Sequence, residues 1–412
     1  MIFDSIVDFY STSSGNGFFT SNDIFIYLLS EITNLIFCCI VISLFFFAKK
    51  LSFNELLFWI FLFLLAFFIN IFINSTQFLP DIGGYLRCVR DLRDNFSFDE
   101  LGCQVITNSS SDGSFNTFSI KRGLPALMFF LVPMPSIATY SAIGMITKLF
   151  TFLFYLYLKK ILIQKDNLII LCLAFLLPTF LLYSSVGLRD GLIFIIMAAL
   201  MFSIIRNKFL LSTFVLLILL LIKPQNGAVF IVPYIGVFLF GANKSMKGFI
   251  ILLLFSLTGL ILIQDLVVST INFFTLSFIH ENQGSEILKY VEPYTSLFPI
   301  IAYSPIEFFN GLLRPYPTGL VSSLFFLDSL IQLLMIATLI ILNRDILFKS
   351  PEFLLVFITF FMGMVLNSMV VDNDNTFIRY KYTFVYCLLI YLITVNKYPI
   401  KFFKKSNTNY EK

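Results

Sequence analysis

The residues best suited to chemistry in this chain are arginines at the ends of apolar segments. The chain has nine arginines in 412 residues. A guanidinium group binds phosphate or carboxylate with two parallel hydrogen bonds, which a lysine ammonium group cannot do. Lysines gather in every second gap between apolar segments, and the positive-inside rule assigns those gaps to the cytoplasm. Seven arginines fall in the opposite gaps and predict an anion site outside the cytoplasm: Arg87, Arg90, Arg93, Arg122, Arg189, Arg314 and Arg379.

Two of these opposite gaps are short junctions that each precede an apolar helix. Arg189 and Asp190 lie in the sequence GLRDGL, and Lys223 and Gln225 lie in KPQN. The backbone N–H groups at a helix N-terminus attract anions, so Arg189, Lys223 and Gln225 are candidate substrate-binding residues. The alternative is structural: Asp190 caps its helix, and the two cations reach along the helix toward water.

Two later junctions add further candidate substrate-binding residues. Arg314 lies in LRPYP, where the following proline favours an extended backbone at the arginine. The sequence DNDNTFIRYKY then brings Asp372, Arg379, Tyr380 and Tyr382 into one short turn. A plain polar turn does not need two acids, two cations and two tyrosines. An exposed loop arginine and an internal ion pair are the structural alternatives.

A reaction at a hydroxyl group needs a nearby proton acceptor. The candidate catalytic residues are Asp81, just after an apolar segment, Asp190 in the first junction, and His280, the only histidine. Glu31 and Asp328 lie inside apolar segments, where ionisable side chains are costly and often functional. A lone histidine is more often incidental.

Metal and redox chemistry have little support in the sequence. With one histidine and no CxxC motif, a protein-built zinc site is not expected, and no cofactor is expected either. Cys88 and Cys103 share one gap, where they either form a disulfide in an oxidising compartment or stay free thiols.

The elements that must position these residues are membrane-spanning helices. The chain is 58% hydrophobic and 13% charged, which excludes a soluble domain. We predict an all-α polytopic membrane protein, one integral membrane domain over 1–412, with about eleven transmembrane helices and two long extracytoplasmic loops, 75–123 and 266–322. Residues 124–136 either enter the membrane and return or lie at its surface. The predicted spans are 24–47, 54–74, 137–158, 167–186, 191–205, 209–222, 227–242, 248–265, 323–343, 353–371 and 382–396.

The arrangement resembles the Wzy-type O-antigen and capsule polymerases, and more loosely the EpsG-like and GT-C-like membrane glycosyltransferases. The resemblance rests on the span pattern, the two outer loops, SSVGLRDG at 184–191, LRPYP at 313–317 and the NT-x-x-RY turn at 375–380. It implies a metal-independent glycosyltransferase, multi-pass in the bacterial inner membrane, in which Arg189, Arg314 and Arg379 engage the substrate. The D-x-D spacing at 372–374 lies too late in the chain for the GT-C metal motif.

The implied activity is the joining of undecaprenyl-pyrophosphate-linked oligosaccharide repeat units on the outer face of the inner membrane. Arginines would stabilise charge on the leaving pyrophosphate, and an acid such as Asp81 or Asp190 would take the proton. The implied partners are the lipid-linked glycans, the membrane, a chain-length regulator and a flippase, with no nucleic acid.

Other classes stay open. A lipid-linked oligosaccharide flippase or transporter would have a similar composition, with shorter loops and more ionisable residues buried within spans. Another GT-C-like glycosyltransferase would keep the outer site but change the reaction. An acyltransferase or ligase would usually rely on a membrane-embedded histidine, and a purely structural membrane protein would not require arginines on one side.

Overall fold

The chain folds almost entirely into helices. A computed structural model describes residues 21–72, 82–94, 104–108, 114–118, 120–137, 140–162, 164, 167–281, 293–371 and 374–397. Within these ranges the elements are α1 (Ser21–Phe47), α2 (Phe53–Phe72), α3 (Ile82–Asp94), β1 (Gln104–Asn108), β2 (Ser114–Phe118), α4 (Ile120–Phe130), α5 (Tyr140–Ile161), α6 (Asn167–Phe175), α7 (Pro178–Ser185), α8 (Arg189–Ile205), α9 (Phe209–Ile222), α10 (Pro224–Phe240), α11 (Met246–Leu262), α12 (Gln264–Glu281), α13 (Leu297–Leu313), α14 (Leu320–Leu347), α15 (Pro351–Val370) and α16 (Asp374–Val395).

This is a helical membrane protein. Among the described residues, six helices are long and apolar enough to cross a membrane, and the number rises to eight if each of two bent pairs counts as one span. The six lie within α1, α2, α5, α14, α15 and α16. Helices α9, α10 and α13 are apolar but shorter. The prediction of an all-α membrane protein is therefore confirmed, whereas length and composition do not support eleven spans.

The bent pairs explain part of the difference in number. Residues 167–186 were predicted as one span, but α6 and α7 meet at an angle of 67°. Pro178 begins α7, and the preceding Leu177 has the extended backbone that a proline imposes (φ −63°, ψ 139°). Helices α11 and α12 form the second bent pair, at 74°.

The two segments predicted as long outer loops contain regular structure. The range 75–123 includes α3, most of an antiparallel hairpin of β1 and β2, and the start of α4. The range 266–322 includes most of α12 and all of α13. The two connecting segments therefore contain helices and a hairpin, and their place outside the cytoplasm stays a prediction. Cys88 of α3 is disulfide-bonded, and Cys103 lies outside the described residues.

Helix α16 lies at the centre of the fold and carries much of the candidate site. Every residue from 380 to 394 is buried. The helix packs against α6, α7, α8, α14 and α15. Its first turns lie beside the start of α8, the start of α10 and the end of α13, and these four places are the four predicted junctions.

Close packing fixes the junction between α7 and α8. A Cβ atom on Gly144 of α5 would overlap the carbonyl oxygen of Ser185, which accepts a hydrogen bond of 2.8 Å from Asn70 Nδ2. A Cβ atom on Gly191 would lie 2.5 Å from Thr147 Cγ2. Glycine at both positions lets α5 approach the junction closely and hold its backbone in place.

Candidate functional site

Three of the four junctions meet in one buried cluster of charged side chains. Asp190, in the first turn of α8, has its Oδ2 3.2 Å from Nε of Arg379 on α16. Its Oδ1 lies 3.6 Å from Nζ of Lys223, which joins α9 to α10. The side chains of Asp190 and Lys223 are each 1% exposed, and that of Arg379 is 12% exposed. Residues separated by as many as 189 positions therefore share one site.

Aromatic contacts complete the environment of Lys223. Its Nζ lies 3.2 Å from the centroid of the Tyr380 ring, and the Arg379 guanidinium lies 5.6 Å from the same centroid. Such cation–π contacts strengthen when the cation is removed from water. The Lys223 ammonium has no hydrogen-bond partner among the described residues. A buried ammonium is costly unless it is paired, and the Asp190 carboxylate and the Tyr380 ring offset that cost for Lys223.

Cationic groups surround the Asp190 carboxylate. Among the described side chains, it faces those of Arg379, Lys223 and Arg189. Asp190 lies in the first turn of α8, outside the six spans. Burial acts to raise the pKa of its carboxyl group, but the charges of Arg379, Lys223 and Arg189 outweigh this effect and hold the pKa below its usual value. The same cations would attract an anionic ligand.

Two helix N-termini lie at the same place. Helix α8 begins at Arg189 and α10 begins at Pro224, so the positive ends of both helix dipoles adjoin the cluster. Arg189 Nη1 donates to the carbonyl oxygen of Ile222 at 3.4 Å, which ties the two junctions together. The side chain of Asp190 accepts no capping hydrogen bond from the amides of α8. The structural alternative of a simple helix cap is therefore not what the geometry shows.

Arg314 belongs to a second cluster on the same helix. Its Nε and Nη2 lie 2.8 and 2.7 Å from Oδ1 of Asp374, and its Nη1 donates to the carbonyl oxygen of Val371 at 2.8 Å. The guanidinium also lies 4.4 Å from the centroid of the Phe377 ring. Arg314 has the extended backbone expected before proline (φ −62°, ψ 147°). These contacts join the ends of α13 and α15 to the start of α16.

Lys381 completes the second cluster and was not among the predicted site residues. Its Nζ donates to the carbonyl oxygens of Leu312 and Arg314 and to Ser329 Oγ. The terminal carbonyl groups of a helix have no hydrogen-bond donors within the helix. At the end of α13, the Lys381 ammonium group is the donor to two of these carbonyl groups. Arg314 and Lys381 thus have an evident structural role.

The other predicted residues are distributed as follows. Gln225 lies in the first turn of α10 and lines a cavity beside the first cluster. The Tyr382 ring packs 5.6 Å from Tyr183, and its buried hydroxyl has no hydrogen-bond partner among the described residues. His280 lies in the last turn of α12, and its side chain is outside the described set. Asp81 and Asp372 lie outside the described residues.

Several ionisable side chains are buried within spans. Glu31 of α1 and Lys148 of α5 are 0% exposed, and Asp328 of α14 is 1% exposed. Lys148 Nζ donates to Ser184 Oγ at 2.7 Å, and Asp328 accepts hydrogen bonds from Thr179 and Gln332. The sequence marked Glu31 and Asp328 by their position in apolar segments. Lys148 lies inside the predicted span 137–158 and carries the same sequence signal, but it was not among the predicted residues.

No group of three or more metal-ligating side chains occurs within the described ranges. No protein-family model, curated protein or solved structure matches this chain. Fold and site together define a helical membrane protein with a buried cationic cluster at one end of its helix bundle.

Proposed function

We propose that this protein is a glycosyltransferase that joins oligosaccharide repeat units carried on a polyprenyl diphosphate, such as undecaprenyl pyrophosphate. Its location would be the bacterial inner membrane, which it would cross with the eleven spans predicted from the sequence. The cluster of Asp190, Lys223 and Arg379, with Arg189, would bind the diphosphate on the outer side.

The observation that carries this proposal is the convergence of Arg379, Lys223 and Asp190 in a buried site. A diphosphate brings more negative charge than any single carboxylate, and it can accept hydrogen bonds from guanidinium, ammonium and backbone N–H groups at once. Three of the four junctions contribute to this cluster. The junction with Arg314, at the end of α13, contacts the start of α16 through Asp374.

The chemistry follows from the charges. A hydroxyl oxygen of the acceptor glycan attacks the anomeric carbon of the donor glycan, and the bond between that carbon and the diphosphate oxygen breaks. The bonding electrons leave with the polyprenyl diphosphate, and the hydroxyl proton passes to a base. Charge that develops on the diphosphate oxygen is stabilised by cations already in position, which is commonly a large part of catalysis. No nucleotide is consumed, because the diphosphate linkage is the leaving group.

The sequence made Asp190 a candidate proton acceptor, but its surroundings favour a different role. A carboxylate with a lowered pKa beside two cations is a weak proton acceptor. We propose that Asp190 positions Arg379 and Lys223, while Asp81 and His280 stay candidate proton acceptors.

The test is polymer formation in cells that lack the native gene and carry a plasmid copy. Lys223→Ala and Arg379→Ala should abolish the ladder of long glycans and leave single repeat units on the lipid carrier. Arg344→Ala is the matched control, because its side chain is 71% exposed and far along α14 from the cluster. Immunoblots of membranes must show equal amounts of each variant. Normal ladders in both cluster variants would contradict the proposal.

Transport of a lipid-linked oligosaccharide is the second candidate, and the buried ionisable side chains favour it. Glu31, Lys148 and Asp328 lie within spans, and such residues commonly mark ion or proton pathways. The two functions differ in what a purified protein does in vesicles. A polymerase lengthens glycans when donor and acceptor share one leaflet, whereas a transporter moves a fluorescent lipid-linked glycan between leaflets without lengthening it.

A further inference from the structure

A cavity of about 140 Å³ adjoins the cationic cluster. It lies between α10, α12, α15 and α16, at the end of the bundle where α10 and α16 begin and α15 ends. Its walls are mostly aliphatic and aromatic. The lining residues are Gln225, Asn226, Ala228, Val229, Thr270, Ile271, Gly363, Leu366, Asn367, Val370, Val371, Tyr380 and Phe384.

Tyr380 is shared by the cavity and the cluster. Its ring lines the cavity and also lies 3.2 Å from Lys223 Nζ. Gln225 and Asn226 follow Lys223 directly in the chain and line the same cavity. Asn226 is 1% exposed, and its Oδ1 has no hydrogen-bond partner among the described residues. A ligand that fills the cavity would therefore contact the Tyr380 ring that the Lys223 ammonium also contacts.

The lining indicates which chemical group fits. The polar side chains have mostly used their donors elsewhere: Thr270 Oγ1 donates to Leu266 O, and Asn367 Nδ2 donates to Gly363 O. A sugar would bring several hydroxyl groups, each of which needs a partner when buried. A hydrocarbon needs none. An apolar cavity of about 150 Å³ holds a molecule the size of benzene, so this cavity suits a branched group of about five carbons.

We infer that this cavity binds the isoprene unit next to the diphosphate, so that the site recognises a prenyl diphosphate and not a diphosphate alone. The inference rests on the proposed function, because the cationic cluster must hold the diphosphate. Thr270 is exposed although it lines the cavity, and the remaining isoprene units leave past it along α12 toward the lipid.

The test compares three probes on the full-length protein in lipid nanodiscs: inorganic diphosphate, the five-carbon dimethylallyl diphosphate and the ten-carbon geranyl diphosphate. Burying an apolar group of this size should tighten binding by about tenfold or more. Dimethylallyl diphosphate should therefore bind at least about tenfold more tightly than inorganic diphosphate. Geranyl diphosphate should add a smaller gain, because its second unit lies outside the cavity.

Ala228→Phe narrows the cavity from α10. It should remove the gain for the five-carbon probe and leave binding of inorganic diphosphate within about twofold. Ile231→Phe is the matched control, since Ile231 lies on the same helix, is exposed and does not line the cavity. Ile271→Ala, which removes apolar contact from α12, should also reduce the gain in affinity for the five-carbon probe. This variant replaces Ala228→Phe as the test if Ala228→Phe does not fold.

The outcomes separate the two proposals. If inorganic diphosphate binds but the five-carbon group adds nothing, the inference about the cavity is overturned and the diphosphate site stands. If the gain persists in both Ala228→Phe and Ile271→Ala, the prenyl group binds elsewhere and the inference is again overturned. If none of the three diphosphates binds, both the proposed function and this inference fail.

Discussion

Replacing Asp190 with asparagine should separate an anion-binding cluster from a purely structural one. Asparagine keeps the size of the side chain and removes its charge. Lys223 and Arg379 would then keep their positive charges without the carboxylate that lies 3.6 and 3.2 Å away. Removing one partner of a buried ion pair costs about 3–5 kcal/mol. We expect a loss of about 3 kcal/mol, at the lower end, because the Arg379 side chain is 12% exposed and reaches some water.

A bound diphosphate should restore much of this loss. A ligand at one hundred times its dissociation constant stabilises a folded protein by about 2.7 kcal/mol. Without the competing carboxylate, the cations should bind diphosphate more tightly, so inorganic diphosphate should stabilise Asp190→Asn more than the unchanged protein. In Lys223→Gln one cation is lost, and the stabilisation should be smaller. The two variants are thus expected to change the ligand effect in opposite directions.

Thermal unfolding in nanodiscs, with and without inorganic diphosphate, measures both effects. Arg344→Gln is the control, because its side chain is 71% exposed and an exposed charge contributes about 0–1 kcal/mol. The reasoning is refuted if diphosphate stabilises all three variants equally. It is refuted also if Asp190→Asn responds less than the unchanged protein, since the carboxylate would then help to bind the anion.

Three more predictions concern the surrounding structure. Arg314→Ala should lower polymer formation by at least about tenfold and destabilise the protein by about 1–2 kcal/mol, because the contacts with the Asp374 carboxylate and the Val371 carbonyl oxygen are lost but Asp374 is 39% exposed and reaches water; a glycan ladder and a melting curve measure the two effects, and an unchanged melting curve would contradict the structural role. Gly144→Ala should destabilise by about 1–3 kcal/mol through overlap with the Ser185 carbonyl, and equal thermal stability would show that α5 can move away. Reporter fusions after positions 110 and 290 should both read as external, and a cytoplasmic signal at either would reverse the proposed orientation.

Helix positions could be predicted well because the bilayer constrains length and polarity together. The predicted span 209–222 coincides with α9, and 353–371 lies within one residue of α15 at its C-terminal end. The break before Pro178 is visible in the sequence as a proline, but its 67° angle depends on packing against other helices. The helices in 266–322 were missed because scattered polar residues hid two apolar stretches.

The members of the site could be predicted, but not their grouping. Arg189, Lys223 and Arg379 were chosen from their positions at helix ends, and they do converge. Nothing in the sequence says that Arg314 instead contacts Asp374 and a terminal carbonyl group, because that depends on how α13 meets α16. The contact between Lys223 and the Tyr380 ring likewise arises from tertiary packing across 157 positions of the chain.

The position of α16 has a consequence for biosynthesis. It is the last helix of the described chain, the most deeply buried and the least apolar of the six spans. A nascent protein that has not yet made this helix holds Asp190 and Lys223 but lacks Arg379 and Tyr380, so the proposed diphosphate site is incomplete. Helices made earlier must receive a segment that carries several charges into the bilayer, and activity should therefore begin only after α16 has been made.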